Sequence, residues 1–166
     1  MERTMILRWM LALAMLSLAG CASYDGHSLK SGVDGAPEVQ ALMGPPFETW
    51  PNASGGTTWE YPRGPYGRET YLVHLGPDGK LHSIEQALNE QNFARLHIGK
   101  TTQDEVHHLI GRPDSEAFYA RRNEHDWLYH YRNGTILMKL YVTFNDQGMV
   151  KEVAEMLDQH SVPGMN

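Results

Sequence analysis

The chain states the same pattern twice. Displaced by 67 positions, Leu29, Gly32, Glu38, Val39, Leu42, Gly44 and Pro46 fall on Leu96, Gly99, Glu105, Val106, Leu109, Gly111 and Pro113. At a displacement of 68, Trp59-Glu60-Tyr61 meets Trp127-Leu128-Tyr129; at 69, Val73, Gly79, Ile84 and Leu88 meet Val142, Gly148, Val153 and Leu157. Three successive blocks agree in the same order, with only single-residue insertions between them, so the sequence reads as two related units in tandem. Whatever fold the chain takes, it must be one that it adopts twice.

Each unit has a readable order of elements. In the second, Thr102 and Glu105 form a capping-box pattern, Val106, Leu109 and Ile110 give one apolar helical face, and Gly111 with Pro113 stops the helix. The first unit has Pro37 near its helix start and Val39, Leu42 and Met43 as the face, without the threonine cap. Three strands are predicted after each helix. In the second unit Trp127, Tyr129 and Tyr131 alternate with Leu128 and His130, Asn133-Gly134 makes a hairpin turn, and Ile136 to Phe144 and Met149 to about Glu155 follow. In the first, the strands are Thr58 to Tyr61, Thr70 to Leu75 and Lys80 to Ala87. Asn89 is placed to cap a short extra helix through Phe93 and Leu96. The expectation is an α+β fold of two units, each a short helical element packed on a three-stranded antiparallel sheet.

Residues 1–20 have the layout of a bacterial secretion signal, with Arg3 and Arg8 followed by the apolar run Trp9 to Leu16. That run falls short of the roughly 20 apolar residues of a membrane span. It ends in Leu18-Ala19-Gly20-Cys21, which resembles a lipobox. The resemblance implies that Cys21 is the first mature residue, joined to diacylglycerol by a thioether and acylated on its amine. It also implies that Ala22, where Asp is an inner-membrane retention signal in many Gram-negative lipoproteins, directs the protein to the outer membrane. Cys21 is the sole cysteine, so no intramolecular disulfide can form and the fold stands on packing. The expected organisation is a signal peptide at 1–20, a tether at 21–31, units at 32–88 and 89–158, and a tail at 159–166. Losing Glu2, Arg3 and Arg8 with the signal takes the chain from 14 Lys+Arg and 20 Asp+Glu to 12 and 19, a formal charge of −7. That sign argues against nucleic acid and against electrostatic adhesion to anionic lipid, leaving the acyl chains as the membrane hold.

The side chains that invite a chemical reading each have a plainer one. His107 and His108 are neighbours, whereas two helix histidines that share a metal normally stand four apart. At about 100° per residue, His107 flanks the apolar face and His108 points outward, so the pair is expected to be a polar flank and no metal is assigned. His125, Asp126 and His130 contain imidazole and carboxylate but read as a hairpin approach and the solvent face of a strand. Neither a G-x-S-x-G motif nor a spaced Cys/His ligand set is present, and no cofactor beyond the lipid on Cys21 is implied. Trp59, Tyr61, Trp127, Tyr129 and Tyr131 could bind a partner, but alternation makes them core residues. The loop from Tyr61 to Arg68 offers Arg63, Tyr66 and Arg68 as partner-binding groups stiffened by prolines.

The pattern Gly99-x-Thr101-x-x-x-Val106-x-x-Leu109-x-Gly111-x-Pro113, then Trp127-x-Tyr129, then Tyr141-Val142-x-Phe144-x-x-x-Gly148, resembles the SmpA/OmlA lipoproteins, also called BamE. The first unit supplies a weaker version of the same pattern. The resemblance implies a helix-turn-helix element on a three-stranded sheet and a role beside the machine that folds β-barrels into the outer membrane. The familiar family member has one such unit, and this chain has two. The function expected is a non-enzymatic outer-membrane lipoprotein facing the periplasm, an adaptor that docks on envelope proteins including the barrel-assembly machine. The alternative is a periplasmic protein-binding or inhibitor module like the β-lactamase inhibitory proteins, whose paired units form a concave face; that comparison is one of fold alone.

Overall fold

The computed structural model describes residues 25–64 and 68–159 of the 166-residue chain. The signal segment, Cys21 and Tyr66 lie outside the described residues. The element order is α1 (Ala36–Met43), β1 (Glu48–Pro51), β2 (Thr57–Pro62), β3 (Thr70–Leu75), β4 (Leu81–Gln86), α2 (Glu90–Phe93), α3 (Gln103–Ile110), β5 (Ser115–Tyr119), β6 (Glu124–Asn133), β7 (Ile136–Phe144) and β8 (Val150–Leu157). The strands form two antiparallel sheets in sequential order, β1-β2-β3-β4 and β5-β6-β7-β8. The α+β, two-unit architecture is as expected, but each sheet has four strands rather than three. The additional ones, β1 and β5, lie at sheet edges, and every residue of β5 is exposed. An edge strand of this kind is held by backbone hydrogen bonds and carries no apolar face, so alternation does not announce it.

Two cores form, one per unit. Val39 and Met43 of α1 pack on Tyr61, Val73, Leu75 and Leu81, with Leu29 and Trp59 against them. Leu29 thus draws part of the stretch expected as tether onto the first unit. Val106 and Ile110 of α3, with Phe93 and Leu96, pack on Trp127, Tyr129, Tyr131, Leu140, Val142 and Phe144. Asn89 caps α2 by accepting from the Asn92 N–H, and Thr102 with Glu105 closes a capping box on α3. All five strand aromatics of the repeated blocks therefore face the cores. Alternation does its usual sorting here: Trp59 and Tyr61 point inward, which turns Thr58 and Glu60 to the opposite face of the sheet.

The same local devices recur in both units. Tyr61 Oη donates to the Gly44 carbonyl at 3.1 Å, and Tyr129 Oη to the Gly111 carbonyl at 3.0 Å. A register shift falls at His74/Leu75 in one sheet and at Thr143/Phe144 in the other. Gly44 (φ 85°, ψ −174°) and Gly111 (φ 81°, ψ −174°) end the two helices in a backbone region that only glycine visits comfortably.

Their surroundings differ, and this gives a test. A Cβ on Gly44 would meet nothing within 4 Å, whereas on Gly111 it would lie 2.5 Å from Thr70 Cγ2 and 2.8 Å from Glu60 Oε1. Gly44→Ala is expected to cost the backbone strain alone, about 1–3 kcal/mol. Gly111→Ala should cost measurably more in urea unfolding, because Glu60 is pinned and cannot yield.

Candidate functional site

The helix-stopping Gly111 of the second unit touches the first, and the groups around it make a seam. Glu60 sits mid-strand in β2 on the face away from its own core, with 0% of its surface exposed. Leu72, paired with it across β2 and β3, is likewise buried on that face. An isolated carboxylate cannot be sealed from water without partners. Both partners come from the end of α3. Glu60 Oε1 accepts the Arg112 backbone N–H at 2.7 Å, and Oε2 lies 3.0 Å from His107 Nε2. Glu48, beside Glu60 on edge strand β1, places its own Oε2 3.6 Å from the same imidazole nitrogen.

His107 therefore stands apart from the exposed flank predicted for it. The hydrogen bond to Glu60 raises its pKa above the ordinary imidazole value; burial opposes that rise, the charges of Glu60 and Glu48 add to it, and Arg112 subtracts. His108 is exposed as expected, and its ring stacks on Trp50 with centroids 4.8 Å apart. The Arg112 guanidinium lies over the Phe47 ring at 4.1 Å, a cation–π contact across the same seam.

A second tie closes the far side. Arg68 Nη2 meets Asp158 Oδ2 at 2.6 Å, and Lys139 Nζ reaches Asp158 Oδ1 at 3.2 Å. Burial, the largest single influence on this carboxyl, acts upward, but the hydrogen bonds and charges of Arg68 and Lys139 together outweigh it and hold the pKa down to about 2. Of the three loop groups expected to face a partner, Arg68 is turned onto Asp158. Arg63 lies over the Tyr61 ring at 5.5 Å.

Between these ties is a cleft of about 250 Å³, lined by Gly64 and Glu69 from the first unit and by Arg112, Asp114 and His130 from the second. Asp114 Oδ2 accepts the His130 backbone N–H at 2.6 Å and lies 2.9 Å from its Nδ1. His125 instead packs against Phe118, with ring centroids 4.6 Å apart, so His125, Asp126 and His130 do not converge on one point. At the outer end of the β5–β6 hairpin, Phe118 and Tyr119 are 54% and 44% exposed, and Arg122 lies over the Tyr119 ring at 4.9 Å. The sequence does not single out this hairpin, because β5 buries no residue and so leaves no apolar alternation to mark it.

A short helix stopped by a glycine at positive φ and laid on an antiparallel meander, with a second helix before it, defines the second unit as a compact α+β domain. Residues 85–154, from the end of β4 to within β8, match the family described as the outer membrane protein assembly factor BamE domain. The likeness to the BamE domain thus lies over residues 85–154, which take in most of the second unit. No curated protein matches the chain in sequence. Among solved structures, a DUF4309 family protein (YjgB) from Bacillus subtilis is similar at 17% identity, covering 78% of this chain and 82% of that one, with a TM-score of 0.30.

Two outcomes follow from the seam. With a chelator present, His107→Ala strips a fully buried carboxylate oxygen of its partner and should destabilise the protein by roughly 1–3 kcal/mol in urea unfolding. Glu60→Gln keeps a carbonyl for Arg112 and an N–H for a neutral His107, and should cost about 1 kcal/mol or less. On the far side, a carboxyl held below its unfolded value stabilises the fold above that value and loses its contribution as pH falls toward 2. Unfolding free energy should therefore drop between about pH 4 and pH 2, and Arg68→Met should shrink that drop.

Proposed function

We propose that the protein is a lipid-anchored, non-enzymatic adaptor of the outer membrane that faces the periplasm and acts in the assembly of outer-membrane β-barrel proteins. The observation that carries this reading is the match of residues 85–154 to a domain described as an outer membrane protein assembly factor. The lipobox-like Leu18-Ala19-Gly20-Cys21 supports the anchor, with thioether-linked lipid on Cys21 holding the chain at the membrane and raising its effective concentration for membrane partners. The first unit is then a diverged copy of the domain, a reading supported by the shared helix stop and by the matching bonds from Tyr61 and Tyr129 to the glycine carbonyls.

The docking element of this reading is the β5–β6 hairpin. Its exposed Phe118 and Tyr119, with Arg122 stacked on the latter, are the residue types that dominate protein interfaces, and β5 offers an unpaired strand edge. Arg63 and Tyr66 remain a second contact region, whereas Arg68 is engaged with Asp158. The inhibitor-type alternative needs one concave face running across both units. Thr58, Glu60 and Leu72, on the outward face of the first sheet, are buried, which favours the adaptor.

In cells making the full-length lipoprotein, a photo-crosslinker at Tyr119 should capture a component of the barrel-assembly machine. Pull-downs from solubilised membranes that recover no such component would sink the assembly role. Cys21→Ser should move the protein out of the membrane fraction; a variant that stays embedded and acylated would refute the anchor.

A further inference from the structure

Glu48, Glu60 and His107 come together from two units that the sequence keeps 47 residues apart between Glu60 and His107. One atom from each, the two carboxylate oxygens and the imidazole Nε2, lie within 4.8 Å of one another. From Nε2 the distances are 3.0 Å to Glu60 and 3.6 Å to Glu48. A tetrahedral zinc ion with bonds of about 2.0–2.1 Å holds its ligand atoms roughly 3.3–3.4 Å apart, and the two distances bracket that spacing. An imidazole in the set favours zinc over magnesium or calcium, which take all-oxygen cages.

The charge balance points the same way. Among the described residues no lysine or arginine forms an ion pair with Glu48 or Glu60; His107 is the only ion-pair partner each has there. Two carboxylates, one of them fully buried, thus share one imidazole. A divalent cation would supply the missing countercharge that burial of Glu60 calls for. The buried carboxylate is also aimed: the Arg112 N–H holds Oε1 at 2.7 Å and leaves Oε2 toward His107, the outer-shell support that metal carboxylates rely on. Glu48 is half-exposed, so the site opens to solvent on the β1 side.

We propose that Glu48, Glu60 and His107 bind one zinc ion, with water in the fourth position, and that the ion fastens the second unit to the first. The adjacent histidines mislead in sequence because only one of them is a ligand and the other two donors sit on the neighbouring sheet. The site depends on neither the lipid nor any partner.

Full-length protein in detergent, stripped with EDTA and exchanged into chelator-free buffer, is titrated with Zn²⁺ against a chromogenic chelator, with Mg²⁺ as the comparison ion. One equivalent of zinc should bind and raise the melting temperature, and magnesium should do neither. Glu48→Gln lies on an exposed edge and should keep the metal-free melting temperature while weakening zinc binding roughly tenfold or more. His107→Gln should abolish the zinc-induced shift, and His97→Gln, an exposed histidine elsewhere, should retain it. Absence of saturable binding, binding that survives both Glu48→Gln and His107→Gln, or loss in His97→Gln equal to that in His107→Gln would each overturn the site.

Discussion

A single carboxylate sealed from water, that of Glu60, sets the terms on which the two units meet. Its strand turns it away from its own core, so it cannot be satisfied within the first unit. It is satisfied by the end of α3, through one side chain and one backbone N–H. Hydrogen bonds to a charged group contribute about 1.5–3 kcal/mol each where loss leaves the charge buried. The geometry this demands is narrow: the helix must stop where it does, the stop must carry no Cβ, and the next residue must present its N–H outward. Gly111 and Arg112 meet those conditions, and the fit of one domain against the other follows from them.

Much of the interior was legible in the sequence because it is periodic. Val39 and Met43, Val106 and Ile110, and the alternating Trp127, Tyr129 and Tyr131 all lie where helical and strand periods place them. The edge strands β1 and β5 were not legible, since Glu48–Pro51 and Ser115–Tyr119 bury no alternating stripe. The seam was illegible for a different reason: no local period records which residue of one unit faces which residue of the other. A trace of it was present all the same. Where the units are aligned, Glu60 answers to Leu128 and His107 to Gln40. The copies fill both positions differently, and the two residues Glu60 and His107 bond to each other.

The distribution of polar groups divides the molecule by task. Glu60, His107, Arg68 and Asp158 are engaged across the units, and Asp114 is engaged by His130 within one. Exposed Phe118 and Tyr119, with Arg122 over the latter ring, gather on the β5–β6 hairpin, inside the segment that matches the BamE domain. The hairpin's Phe118, Tyr119 and Arg122 take no part in the ion pairs that join the halves, so changes on it can be made without disturbing them.

The topology also orders the assembly of the chain. Every strand pairs with its neighbour in sequence, so each sheet closes through short loops. The seam contacts span 47, 52 and 90 residues. Loop closure makes distant contacts the slower ones to form. Each unit can therefore acquire its sheet while the chain is still short of the other, and Arg68 waits for Asp158 until the last strand is complete. Run backward, the same order makes the junction, rather than either core, the first part of the folded protein to open.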